Sequence, residues 1–341
     1  MAASYSFCTY RPPPEAVYGG AEDRKHVGSM STLRWNSMIG EWTIVAPARD
    51  KRPFQNQEQK CPFCDCQTDG EKAWRALTVD NKYAALSPDS GEVPLNEAIV
   101  MEAPAFGYSK VILLSPNHDE QMEDMQDAQV QAVMEEYIRS FEELDGRRGV
   151  HYVLQFENRG RAAGVSLDHP HAQVYALPFI PPRIRQELSE VQKRWESEGL
   201  CLVCETIENE LKISERIIHQ SEHFVSLVPF APRAAYEVHV YPIEHASSLL
   251  DLRKRATELG LMIKDVARRY SKVFEETTYA MAFHTRPSKG NHPYWHFHIE
   301  FYPPWSGPKE AKHLGGIELG AGLFTNGTSP ESVAEELRSA L

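Results

Sequence analysis

Cys61-Pro-Phe-Cys64 is followed by His118 and His169-Pro-His171, and Cys201-Leu-Val-Cys204 is followed by His245 and His296-Phe-His298. In both series the last two histidine stations stand 51 positions apart, 118 to 169 and 245 to 296. A chain that repeats two thiols and two imidazoles at one spacing is constrained twice. It must gather distant residues into two clusters of the kind that bind zinc, and it must follow the same path to do so.

The text between the stations repeats as well. Tyr108 to His118 and Tyr236 to His245 are apolar strand patterns that run into a loop histidine. Helical periodicity follows each, over about 120–146 and 249–275, with Met, Val, Leu and Ile three and four residues apart. Strands are then expected at 151–156 and 278–283, and again at 172–177 and 296–301, where alternation puts His296, His298 and Glu300 on one face. Several strands and one long helix, used twice, predict an α+β fold: a duplicated unit with a mostly antiparallel sheet and packed helices. The expected division is an N-terminal extension at 1–30, a first half at 31–194 and a second half at 195–341.

Length and composition agree. With 341 residues and 42% hydrophobic content there is chain enough for two core-bearing units. A net charge of −12 argues against non-specific nucleic-acid binding, while leaving room for a small phosphorylated ligand held by local cations. No apolar run reaches the length of a membrane span, and Met1-Ala-Ala-Ser-Tyr-Ser lacks the basic and apolar regions of a secretion signal, so a cytoplasmic location is expected. The six cysteines are not spaced as a disulfide scaffold would be. Four sit in the two CxxC pairs and Cys66 crowds the first pair.

Cys61, Cys64, His118 and His169 make a complete tetrahedral zinc set, all four ligands coming from protein, so this metal is expected to be structural. Cys201, Cys204, His245 and His296 make the second set, for which His284, His292 and His298 compete as ligands and iron competes with zinc. His171 is the residue with a chemical role. Held two residues beyond a metal ligand on a chain stiffened by Pro170, it would give one ring proton to a carbonyl and keep the other nitrogen as a neutral nucleophile for phosphorus. The glycine-bearing segment 158–166 precedes it. Its backbone N–H groups, with Asn158, Ser166 and Gln173, would surround the nonbridging oxygens of a reacting phosphate.

With these residues on the page, the sequence resembles the galactose-1-phosphate uridylyltransferases of the histidine-triad superfamily. The resemblance is carried by Arg34-Trp-Asn, Glu41-Trp-Thr-Ile-Val-Ala-Pro-Ala-Arg49-Asp-Lys-Arg52-Pro, the Cys-Pro-Phe-Cys pair, Phe156-Glu-Asn-Arg-Gly160, His169-Pro-His-Ala-Gln173 and Trp295-His-Phe-His-Ile-Glu-Phe-Tyr-Pro303. It runs from about residue 30 to the C-terminus. It implies a double displacement in which His171 takes UMP from UDP-glucose and passes it to galactose 1-phosphate, with Ser166 and Gln173 in the catalytic set. It further implies phosphate contacts from Arg49 and Arg52, a nucleoside contact from Asn81, and hexose-phosphate contacts from Lys312 and Glu318. The family's sites are assembled across a homodimer, so that late residues serve the partner's site. Ala172 stands where many uridylyltransferases have glycine and the related ADP-glucose phosphorylases have serine, and Pro170 favours the uridylyl branch. An ADP-glucose phosphorylase is therefore the alternative enzyme. A nucleotide hydrolase of the same superfamily is opposed by Gln173, which stands where the hydrolases have histidine. A zinc-stabilised nucleotide-binding protein without turnover is the alternative of another class.

Overall fold

The computed structural model describes residues 31–47, 49, 61–64, 66, 74–90, 101–305 and 314–341. The extension at 1–30, Arg52 and Lys312 lie outside the described residues. The strands in chain order are β1 (Thr32–Asn36), β2 (Glu41–Val45), β3 (Leu77–Asp80), β4 (Glu102–Pro104), β5 (Tyr108–Leu113), β6 (Tyr152–Arg159), β7 (His171–Leu177), β8 (Ile217–Gln220), β9 (Phe224–Leu227), β10 (Val238–Pro242), β11 (Tyr279–His284) and β12 (His298–Tyr302). Six α-helices accompany them among the described residues: α1 (Asp127–Asp145), α2 (Pro182–Glu198), α3 (Leu202–Ile213), α4 (Ala256–Val273), α5 (Gly316–Ala321) and α6 (Pro330–Ser339).

Nine strands form one antiparallel sheet in the order β3-β5-β7-β6-β11-β12-β10-β9-β8, and β2-β1-β4 form a small separate sheet. The order reads outward from its centre as two copies: β6, β7, β5, β3 on one side and β11, β12, β10, β9 on the other. The seam is the pair β6–β11, where Phe156 faces Ala282 and Asn158 faces Ala280. The two segments also align in sequence, Tyr152-Val-Leu-Gln-Phe-Glu-Asn-Arg159 and Tyr279-Ala-Met-Ala-Phe-His-Thr-Arg286, sharing Tyr, Phe and Arg at an offset of 127 positions (152 to 279, 159 to 286).

The long helix of each copy, α1 and α4, packs against its partner over one face of the sheet. Tyr137, Phe141, Ile263 and Tyr270 are fully buried there with Phe283, Phe297 and Phe301 from the strands. Gly260 sets the helix separation, since a Cβ at that position would stand 2.6 Å from Met134 Cγ and Val130 Cγ1 of α1. Both helices start later than periodicity predicts. Met122 and Met125, and likewise Leu249 and Leu252, are buried as expected, but from loops that drop them into the core without helical backbone. The last strand also starts later, at His298 rather than His296. Residue 194 falls inside α2.

Candidate active site

Strand β7 places His171, Gln173 and Tyr175 on the face of the sheet opposite the helices, while Ala172, Val174 and Ala176 are fully buried in the core beneath. On the neighbouring strand β6, Phe156 and Asn158 share the outer face. Beyond Asn158 the chain turns sharply at Gly160, whose φ is +77° and where a Cβ would meet Thr278 Oγ1 at 2.2 Å. Only glycine satisfies both demands, and the turn brings Ser166 back beside His171.

A cavity of about 240 Å³ is lined by His171, Gln173, Asn158, Ser166, Asn81 and Arg49, so the structure brings together every described residue expected around the reacting phosphate and nucleoside. A second cavity of about 220 Å³ shares His171 and Asn158 with it, so the imidazole stands at the junction of two spaces. A larger cavity, about 790 Å³, lies around Trp35, Trp42 and Phe179 and contains none of the expected catalytic residues; chemistry rather than volume identifies the site. Glu318 does not line the site. Its carboxylate accepts from Gly315 N–H (2.9 Å) and from the Thr325 hydroxyl (3.1 Å).

His171 Nδ1 is 2.8 Å from the His169 carbonyl. A carbonyl only accepts, so Nδ1 carries a proton, and in the neutral ring the lone pair is on Nε2. His169 is oriented in turn: its Nε2 donates to the Ser115 carbonyl (2.8 Å) and its Nδ1 faces the Cys64 sulfur at 3.6 Å. Burial is the largest influence on His169 and holds its pKa below the ordinary histidine value, which keeps it neutral as a ligand must be. Cys61, Cys64, His118 and His169 bring their ligand atoms within 4.8 Å of one another.

The second copy repeats this construction. His296 Nε2 donates to the Pro242 carbonyl (2.9 Å), its Nδ1 lies 3.3 Å from Cys204, and Cys201, Cys204, His245 and His296 gather within the same limit. Thus of the competing histidines, none belongs to this cluster: His292 bonds Tyr294 and the Lys289 carbonyl, while His284 and His298 join a separate group with Glu187 and Glu300. Each Cys₂His₂ set pairs two soft thiolates with two imidazoles, and in each one imidazole, His169 or His296, has its far nitrogen fixed by a backbone carbonyl, the arrangement that suits a structural zinc ion.

The Glu187–His284–His298–Glu300 group was not anticipated as a unit. Its members come from α2, β11 and β12, and the only sequence signal is the His-x-Glu alternation of β12. Glu300 is nearly fully buried. Burial works against its charge, yet His284 and His239 hold its carboxyl well below the usual range. Burial likewise opposes charge on His284, and Glu300 with Glu187 overcomes it and raises its pKa. His298 goes the other way, lowered mainly by burial. Two further residues of the first site also escaped sequence reasoning: Tyr175, whose hydroxyl is 2.8 Å from Arg49 Nη1, and Tyr83, whose carbonyl accepts from the same nitrogen at 3.3 Å.

A duplicated antiparallel sheet, with an oriented imidazole at the junction of two cavities and two Cys₂His₂ clusters, defines a nucleotidyltransferase. Comparison with known proteins identifies the particular kind. The model of the galactose-1-phosphate uridyl transferase N-terminal domain matches residues 21–181 and that of the C-terminal domain matches residues 182–335, and the chain belongs to this family. A galactose-1-phosphate uridylyltransferase of Thermotoga maritima is 34% identical over 91% of this chain and 98% of its own length. An ADP-glucose phosphorylase of Arabidopsis thaliana is 30% identical over 96% of this chain and 98% of its own. A solved uridylyltransferase structure superposes with a TM-score of 0.83 at 32% identity, covering 91% of this chain and 98% of that one.

Proposed function

We propose that this protein is a UDP-glucose:hexose-1-phosphate uridylyltransferase that works through a uridylylated His171. The observation that carries the reading is the His171–His169 hydrogen bond, which puts the proton of the neutral ring on Nδ1 and so makes Nε2 the nucleophilic atom of a ring at the junction of two cavities. In the first half-reaction Nε2 attacks the α-phosphorus of UDP-glucose, the bond from phosphorus to the bridging oxygen breaks, and glucose 1-phosphate leaves with the bonding pair. The ring then carries a positive charge, which the His169 carbonyl stabilises through the Nδ1 proton. Galactose 1-phosphate next attacks the same phosphorus with a phosphate oxygen, the P–N bond breaks, and neutral His171 and UDP-galactose result. Leaving group and acceptor are both sugar phosphates that are stable as anions, so no strong general acid is needed, and positioning with electrostatic stabilisation carries both steps.

Asn158, Ser166 and Gln173 would supply donors to the nonbridging oxygens. The Gln173 Oε1 atom is buried and has no hydrogen-bond partner among the described residues, and an amide turned by half a rotation would offer its NH₂ to a ligand there. Zinc is proposed in both Cys₂His₂ clusters, two per chain; when bound it would stiffen each loop–strand junction and take no part in the transfer. A homodimer is proposed as the working form, with Lys312 and Glu318 serving the partner's hexose-phosphate site and Arg52 a phosphate. Among the described residues no helix is long and apolar enough to cross a membrane.

The test is to incubate purified protein separately with UDP-glucose and with ADP-glucose and to record intact mass and sugar 1-phosphate release. A mass gain equal to UMP from UDP-glucose, discharged by galactose 1-phosphate, is the expected result. Faster labelling from ADP-glucose would assign the protein to the phosphorylase branch instead, and labelling from neither would overturn the covalent reading.

A further inference from the structure

The cavity of about 790 Å³ lies apart from the transfer site. Leu177, which ends β7 just before the wall formed by Pro178 and Phe179, stands six residues beyond His171 on an extended strand, about 20 Å away. The walls of this cavity are tied in place. Trp35 and Trp42 are paired across β1 and β2 and meet edge-on at 5.3 Å. Arg185 of α2 donates to the Gly40 carbonyl at 3.0 Å and fastens the β1–β2 turn to the helix. Gly149, with φ +78°, lets the loop before β6 approach Phe106 so closely that a Cβ there would stand 2.6 Å from the ring. Trp35, Trp42, Phe106, Tyr108 and Phe179 are thus held half-buried around an unfilled space, and the indole N–H groups of both tryptophans make no hydrogen bond among the described residues.

Half-exposed aromatic rings with indole donors suit a strand that offers flat apolar rings and carbonyl acceptors and has no N–H to satisfy. Consecutive prolines are such a strand, because each fixes φ near the polyproline value and lacks the amide proton. The chain has one run of three, Pro12-Pro13-Pro14, in the segment before Ser31. Sixteen residues, 16 to 31, join Glu15 to Thr32 at the start of β1, and Trp35 is three residues further on. A chain of that length with coil dimensions spans about 22 Å, against about 10 Å from Thr32 to Trp35 along the strand. The connection therefore reaches the cavity with slack, and tethering supplies an effective concentration on the order of millimolar. Charge agrees with the fit. Arg11 precedes the prolines and Glu15 follows them, and the cavity carries both signs, Glu41 from β2 and Arg148 from the loop before β6.

We infer that Arg11-Pro-Pro-Pro-Glu15 docks as a polyproline helix in this groove of its own chain, its rings against Trp35, Trp42 and Phe179 and its carbonyls on the indole N–H groups. The groove is then an interaction surface for the chain's leading segment, fastened at the end of the sheet remote from His171. Because the prolines are extended before they bind, little backbone freedom is lost on docking, and a short contact suffices once the segment is tethered. The inference is independent of which nucleotide the other cavity accepts.

The experiment uses the full-length chain with the photoreactive p-benzoylphenylalanine in place of Tyr10, beside the prolines. After irradiation the attachment points are mapped by mass spectrometry, on protein assembled from equal parts of ordinary and nitrogen-15-labelled chains. The main attachment is expected on peptides that contain Trp35, Trp42 or Phe179, and within one isotopic chain. Replacing Pro12, Pro13 and Pro14 together by glycine should lower that yield about tenfold, since both the rings and the preset φ are lost. Arg148→Glu, which sets a like charge beside Glu15, should lower it about threefold. Arg148 is exposed and the prolines lie outside the core, so both variants are expected to melt as cooperatively as the parent. Attachment elsewhere, no attachment, or a yield unmoved by the glycine triplet would overturn the inference. Groove attachments that join light to heavy chains would give the groove to the segment of a second copy and overturn docking within one chain.

Discussion

The two copies of the repeated unit share a backbone recipe and use it in opposite ways. In each, a CxxC pair and two histidines fix a loop–strand junction, and the residue two positions beyond the last ligand turns its Nδ1 onto that ligand's carbonyl: His171 at 2.8 Å and His298 at 3.1 Å. His171 is half-buried beside an open cavity. His298 is buried under α2, with Nε2 facing Glu300 at 3.3 Å. Where the first copy has Gln173, an uncharged donor suited to a transient anion, the second has Glu300, a permanent anion already matched by His239 and His284. Orientation of an imidazole is thus inherited with the fold. Whether it becomes a nucleophile or a structural contact depends on what covers it and on the charge two residues along the strand.

The most severe way to break this comparison is to remove the two histidines in turn. His171→Gly is expected to lose sugar exchange by at least about 10⁴-fold while keeping its metal, because the neighbouring ligand is His169, and added imidazole should restore part of UDP-glucose cleavage. His298→Asn is expected to leave the labelling rate of folded protein within about threefold and to lower thermal stability instead, since it disturbs a buried charge network. Exchange assays set beside melting curves decide the matter; comparable loss of exchange from both substitutions would show that the second copy is catalytic as well.

A smaller contrast is expected between the metal clusters. Cys64→Ser and Cys204→Ser should each remove one equivalent of zinc by elemental analysis and destabilise the protein. Only Cys64→Ser should slow labelling in the protein that remains folded, by about 10- to 100-fold, because His171 hangs from the backbone of a ligand in that cluster. Equal slowing by both would mean that the clusters act through global stability. A third equivalent that survives both substitutions would convert the Glu187–His284–His298–Glu300 network from an ion-pair cluster into a metal centre.

The mildest test concerns the seam. Glu157 on β6 and His284, 127 positions later on β11, are counterparts (157 to 284), and each is buried. Burial pushes the Glu157 carboxyl up to about 7, although Arg159 opposes it. An acid whose pKa is higher folded than unfolded holds its proton more tightly in the native state, so its stabilising effect is complete below about pH 4.5 and is lost as pH rises to about 7. Glu157→Gln removes this dependence. The variant should gain stability relative to the parent between pH 5 and pH 8, by on the order of 2 kcal/mol, in denaturant titrations. A stability difference that does not change with pH would show that Glu157 is ionised throughout.

Much of this architecture was legible because the ligand stations are punctuation that the fold cannot move. Two thiols and two imidazoles at one repeated spacing fix which loops meet which strands, and the alternation of β7 fixes which side chains share a face with His171. What periodicity missed has a common physical reason. Met122 and Met125 carry helical spacing but are buried by a loop, since a core rewards burial whatever backbone delivers it. The seam between β6 and β11 depends on register between strands far apart in the chain, and sequence spacing says nothing of it. Glu187 reaches its cluster from α2, and Arg49 reaches Tyr175 across 126 positions. Such contacts exist only after the sheet has formed.

The β6–β11 seam also fixes what kinds of change this molecule can accumulate. Two identical chains joined through the same strand pair would receive every substitution twice, once on each side of the axis, so a glutamate in place of Gln173 would disable both sites together. With both copies on one chain, the axis survives in the backbone but no longer in inheritance. One imidazole can be entombed among carboxylates while the other stays open to a nucleotide, and the seam strands can keep Tyr, Phe and Arg in step while carrying Glu157 on one side and His284 on the other. Fusion here gives independence: a symmetric scaffold freed from symmetric mutation.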